Sequence, residues 1–74
     1  MNVLLFGVLT DVVGQSKLKM KANDIDSLKI ILLNEFPEFA NYKFQFAVNK
    51  EKVEQNIPLC EGDEVALLPP FAGG

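Results

Sequence analysis

One stretch of this chain repeats its apolar residues at helical spacing, and the strand-like stretches lie on either side of it. In NDIDSLKIILLNEFP, residues Ile25, Leu28, Leu32 and Phe36 recur every three or four positions, and Ile31 widens the same face. Asn23 or Asp24 can cap such a helix, and Asp26 suits its positive end. Pro37 ends it, because the residue before a proline avoids helical geometry. The spacing therefore predicts one helix of about three turns.

The flanking segments read as strands. Val3 to Leu9 (VLLFGVL) is apolar on both alternating faces, as expected inside a sheet. Asp11 to Gly14 breaks that pattern with a turn or one short helical turn. Lys17 to Ala22 (KLKMKA) alternates strictly and reads as a half-buried strand, antiparallel to the first. After a loop from Pro37 to Tyr42, Phe44, Phe46 and Val48 fall on one face, and Gln45, Ala47 and Asn49 on the other. Asn49-Lys50 suits a tight turn into a short strand around Glu51 to Val53. Glu61-Gly62-Asp63 is a further turn signal, leading into Glu64 to Leu68 (EVALL). Pro69 cannot donate a ladder hydrogen bond and closes that strand. The order is β-β-α-β-β-β, with the most apolar strands, first and last, as parallel neighbours at the centre. This is an α+β arrangement of the β-grasp, ubiquitin-like kind: a mixed four- to five-stranded sheet with the helix packed on one face. Residues 1–68 form the domain and 69–74 an extended tail.

Composition removes most other function classes. The 74 residues are 49% hydrophobic, enough for one globular domain that buries roughly 60% of its unfolded surface. No apolar run approaches the roughly 20 residues of a membrane helix. The opening MNVLLFGVL lacks the basic start and cleavage site of a signal peptide. Cys60 is the single cysteine, which fits a reducing compartment, and the expected location is the cytoplasm. There is no histidine, so Cys60 has no histidine base and the usual triads and zinc sets are missing. No phosphate-binding glycine motif or EF-hand pattern is present. The net charge of −3 argues against nucleic acid and favours a basic partner surface. Lys17, Lys19 and Lys21 are the only local basic cluster, and read as the solvated face of a strand that also discourages edge aggregation.

The tail is the unusual segment. It reads LLPPFAGG, an apolar strand end followed by Pro69, Pro70, Phe71, Ala72, Gly73 and Gly74. Six extended residues reach about 20 Å, and prolines stiffen the first part of that reach. A stiff spike loses less chain entropy on docking. Phe71 can anchor in an apolar pocket, while Ala72, Gly73 and Gly74 can thread a narrow channel. A terminal carboxylate on Gly74 would be unhindered at its Cα. With a pKa of about 3.3–3.7 it is ionised and a poor electrophile, so it must be activated, most simply as an acyl-adenylate. Sulfide added there would give a nucleophilic thiocarboxylate.

With these residues the sequence resembles the small subunit of molybdopterin synthase, a ubiquitin-like sulfur carrier. The likeness runs through VLLFGVLTDVVG, IDSLKIILLNEF, FAVN and above all GDEVALLPPFAGG. The resemblance implies that Gly74 is adenylated with ATP and thiocarboxylated by an E1-like activating enzyme, with no cofactor bound stably. It implies that the tail enters a large synthase subunit, within a heterotetramer, and gives sulfur to precursor Z (cyclic pyranopterin monophosphate). Gly73 would then give access, and Pro69, Pro70 and Phe71 would dock. Phe71 is bulkier than the valine frequent in the family. On the sheet, Phe6, Phe46, Leu67 and Leu68 are candidates for docking, with core packing as the competing role of each. Three alternatives stand beside this reading: a carrier for thiamin thiazole or cysteine synthesis, a protein modifier joined to lysines through Gly74, and a β-grasp binding module with an inert tail.

Overall fold

The computed structural model describes residues 1–69. Five strands form one sheet: β1 (Asn2–Leu5), β2 (Lys17–Lys19), β3 (Gln45–Val48), β4 (Glu51–Val53) and β5 (Glu64–Leu68). Two α-helices, α1 (Val8–Val13) and α2 (Ile25–Glu35), and a 3-10 helix (Pro37–Asn41) complete the order. Across the sheet the strands run β2-β1-β5-β3-β4. β1 and β5 are parallel and central, as expected, and the other pairings are antiparallel.

Register explains the core. Val3 lies opposite Val65 and Leu5 opposite Leu67, while Phe46 meets Leu67 and Val48 meets Val65. All six are buried, and they pack with Ile25, Leu28 and Leu32 of α2, with Leu9, Phe39 and Leu59 closing the margins. An edge of aromatic packing runs Phe36–Phe39–Phe44–Phe46, with successive ring centroids 5.6, 5.5 and 5.5 Å apart. Those spacings suit tilted and edge-on contacts. Phe39 is fully buried although it belongs to the segment expected to be a loop. The 3-10 turn that starts at Pro37 swings it under the sheet.

Two expected strands are shorter than the alternation suggests. The first ends at Leu5 instead of Leu9, and α1 takes over from Val8. Gly7 (φ 58°, ψ −137°) reverses the chain there, and Leu9 N–H donates to the Phe6 carbonyl at 3.2 Å. Within VLTDVV the apolar positions Leu9, Val12 and Val13 also fit a helix, a period masked by the apolar run before it. The second strand stops at Lys19. Met20 continues it with two bonds to Met1, one from its backbone N–H and one to its carbonyl from the terminal ammonium.

Side-chain clamps hold the loops. Asp24 caps α2, its Oδ1 accepting from Ser27 N–H at 2.8 Å, and Asn56 Oδ1 accepts from Asp26 N–H at 2.8 Å. Asn49 and Lys50 both have positive φ (51° and 72°), the primed hairpin turn that asparagine tolerates. Asn49 also reaches across to β5: its Oδ1 accepts from Glu64 N–H and its Nδ2 donates to Asp63 Oδ1, both at 3.0 Å. Asp63 Oδ2 accepts from Cys60 N–H at 2.8 Å.

Hydrogen bonds from Ser27 and then Asn56 hold Asp24 below its ordinary value of 3.8, and those from Cys60 and then Asn49 do the same for Asp63. Both carboxyls are thus more acidic folded than unfolded. Their contribution is complete above about pH 5 and is lost as pH falls through the lowered folded values. Replacing both (Asp24→Asn with Asp63→Asn) should lower the Tm most above about pH 5, where the contribution is complete, and least in acid, so that the acid side of a Tm-versus-pH profile flattens. An unchanged acid limb would show that other groups govern it.

Candidate functional site: the open sheet face and the root of the tail

α2 covers one side of the sheet, and the alternation of each strand decides what the other side shows. Leu4 lies opposite Ala66, Ala66 opposite Ala47, and Gln45 opposite Leu68. Since Val3, Leu5, Val65 and Leu67 face α2, these neighbours face away from it. That face therefore has a small-residue centre, Ala47, which its neighbours bury, and Ala66, half-buried like Leu4 and Leu68 beside it. Continuing the β1–β5 register by one step puts Phe6 beside Leu68, and by two puts Gly7 beside Pro69.

That last pairing fixes the root of the tail. A Cβ on Gly7 would stand 3.0 Å from Pro69 Cγ and 3.6 Å from Pro69 Cβ. Such contact is closer than side chains ordinarily make, so glycine lets the proline ring lie against the β1–α1 turn. Its positive φ independently disfavours any side chain there. Phe6 and Val8 flank the contact and remain 45% and 37% exposed. An aromatic and a branched apolar side chain are thus left in water beside the half-buried Leu68.

The docking candidates separate accordingly. Phe6 is on the surface, and Leu68 is half-buried on the open face. Phe46 (7% exposed) and Leu67 (0%) are core residues, which corrects their assignment as interface candidates. They share faces with Val48 and Val65, under α2. Pro69 is half-buried at the tail root. Pro70, Phe71, Ala72, Gly73 and Gly74 lie outside the described residues. Leu4, Ala47, Ala66, Val8 and Gly7 were not singled out from the sequence. For Gly7 a signal existed, since an isolated glycine in an apolar strand often marks a close backbone approach. For the others, a strand apolar on both faces gives no hint of which face stays open.

Among the described residues there is no cluster of three or more potential metal ligands. Nor, among them, is any helix long and apolar enough to cross a membrane. At the C-terminal end of a central strand, the described residues thus leave a sheet face that no helix covers, with Phe6 exposed on it.

Residues 3–74 match the ThiS family, so the match runs through the tail. This chain belongs to the ThiS family of ubiquitin-like sulfur carriers. One solved relative is in a complex of subunits 1 and 2 of molybdopterin-converting factor from Helicobacter pylori. It is 32% identical with a TM-score of 0.73, over 99% of this chain and 96% of that one. Small archaeal modifier protein 1 from Methanosarcina acetivorans has the same fold (TM-score 0.83, 18% identity, covering 99% and 94% of the two chains). So does the Haloferax volcanii protein of that name (TM-score 0.82, 22% identity, 100% and 98%).

The division of β5 has a direct test. Leu67→Ala should cost about 2–5 kcal/mol in urea unfolding, and Leu68→Ala about 1 kcal/mol or less. Equal losses would contradict the assignment of faces. Gly7→Ala should cost about 1–3 kcal/mol for the backbone conformation alone. Adding Pro69→Ala should return part of that loss if the ring contact contributes, a coupling that a double-mutant cycle reads directly.

Proposed function

We propose that this chain is the sulfur-donating small subunit of a molybdopterin synthase. The observation that carries the reading is the continuity of the open sheet face, where Phe6 is exposed and Leu4 and Leu68 are half-buried, with the root of the tail at Pro69. A landing surface beside the tail lets one partner grip the domain and receive the tail at once. The match to the ThiS family through residue 74 supports the chemistry. The Helicobacter pylori relative, a subunit of molybdopterin-converting factor in complex with another, supports the choice of partner.

In this reading the Gly74 carboxylate attacks the α-phosphorus of ATP on an E1-like adenylating enzyme and expels pyrophosphate. A sulfur donor at the oxidation level of hydrosulfide then attacks the acyl carbon and expels AMP, so that a C–S bond replaces C–O. The thiocarboxylate sulfur next attacks an electrophilic carbon of precursor Z (cyclic pyranopterin monophosphate). Water cleaves the acyl–sulfur bond, leaving sulfur on the substrate and restoring the carboxylate. Gly73 and Gly74 keep both carbonyl attacks unhindered, Ala72 keeps the approach narrow, and Phe71 with Pro69 and Pro70 fixes the depth of insertion. The carrier binds no cofactor stably, and the catalytic groups are the partners'. The large synthase subunit is the receiving partner, within a heterotetramer. A thiocarboxylate persists best in a reducing compartment, which is the reason to assign the protein to the cytoplasm.

Intact mass after incubation with ATP, a sulfur source and the host's adenylating enzyme tests this. The expected gain equals sulfur in place of one oxygen, with none in a variant lacking Gly74 whose melt is unchanged. Transfer to precursor Z by the host's large subunit completes the result. Sulfur gain without that transfer would move the carrier to another sulfur pathway. Isopeptide-linked conjugates with no free thiocarboxylate would replace the reading with a protein modifier.

A further inference from the structure

The charges of this chain are not spread evenly over the two sides of the sheet. One ladder row crosses all five strands: Lys17 opposite Leu4, Leu4 opposite Ala66, Ala66 opposite Ala47, and Ala47 opposite Lys52. Residues paired in register share a face, so the open side has a lysine at each lateral end and an apolar, small-residue middle. The next row runs Lys19, Asn2, Glu64. Lys17, Lys19 and Lys52 are all exposed. Strand positions on the open face thus hold three lysines against one glutamate. The other four lysines are outnumbered by nine carboxylates, among them Asp11 on α1, Asp26 and Glu35 on α2, and Glu38 on the 3-10 helix.

The net charge of −3 suggested a basic partner, but at the strand positions of the open face lysines outnumber carboxylates. A partner feels the local field within about 8–10 Å, the screening length at physiological salt, more than the charge on the far side of α2. We infer that the open face docks on a protein surface of defined chemistry: an apolar ridge bordered on both sides by carboxylates. The ridge seats over the half-buried Ala66, beside which the buried Ala47 adds no long side chain. The carboxylates meet Lys17 and Lys19 along β2 and Lys52 on β4. Four strand spacings separate the two lysine borders, roughly 19 Å at about 4.8 Å per spacing. The pairs act as rails: they set the rotation of the domain on its partner, and so the direction in which the strand that ends at Pro69 delivers its tail. Lysines serving only to protect the sheet edges would do so without regard to the charge of any partner.

This inference rests on the reading of the protein as a sulfur carrier, and its test keeps the two apart. Association of the full chain with the host's large synthase subunit is followed by stopped flow at low salt and at about 0.5 M salt. Rim charges act chiefly on association rate. Lys17→Glu with Lys52→Glu should slow association about 10-fold at low salt, with the difference fading at high salt. Lys29→Glu with Lys50→Glu makes the same change in net charge at positions outside the ladder rows of the open face and should slow it less than twofold. Thermal melts verify folding, and Lys17→Gln with Lys52→Gln provides a milder pair giving an intermediate rate. Charge reversal of the facing carboxylates on the partner should restore the rate. Equal slowing by both reversed pairs, or none by either, overturns the inference while sulfur gain and transfer by the wild type leave the carrier reading intact. A wild type that neither gains sulfur nor binds the large subunit removes both.

Discussion

The parallel pairing of β1 with β5 is the constraint on which the rest of this molecule depends. It brings Asn2–Leu5 against Glu64–Leu68 and buries Val3, Leu5, Val65 and Leu67 in one layer. Parallel neighbours cannot be joined by a tight turn, so nearly the whole chain must travel between them. α2 packs across one face on that path, and the hairpin β3–β4 adds to the far side of β5. Contacts that close only when the ends of the chain meet are paid for in loop entropy before they stabilise anything. The apolar density of both strands supplies the compensation.

The same pairing explains where function can sit. Because β1 and β5 run in one direction, the turn after β1 lies beside the exit of β5, and Gly7 meets Pro69. The root of the tail is therefore set by packing against the turn that follows the central strand β1. A single covering helix has a second consequence. It shields one side of the sheet and leaves the other to solvent, so apolar residues at alternate strand positions divide into core and landing surface. Leu67 and Leu68, neighbours in sequence, end in different environments for this reason.

The loops show a parallel economy of polar groups. Asp24 and Asp63 each satisfy backbone donors at a chain reversal, and asparagines, Asn56 and Asn49, tie each to a distant segment. With so small a core, these ties keep the helix start and the β5 entry in register. They also make Asp24 and Asp63, both partly exposed, carboxylates whose pKa values folding lowers.

The amino-acid sequence alone marked one helix between its cap at Asn23 or Asp24 and Pro37, and the order of the strands along the chain, because apolar periodicity and capping residues are local signals; the apolar density of the first and last strands pointed to their parallel pairing. It also carried the ThiS-family tail, whose residue types are legible without coordinates. It could not show that β1 stops at Leu5, since VLLFGVL satisfies a buried strand and the start of a short helix alike until Gly7 adopts its positive φ. Nor could it separate Phe46 and Leu67 from Phe6 and Leu68, all equally apolar. Only the tertiary structure decided those, because which face of a sheet is covered depends on where one helix packs, and no residue encodes that by itself. The segregation of lysines from carboxylates belongs to the same class: alternation assigns Lys17, Lys19 and Lys52 to a common side only after three strands have been placed in one register.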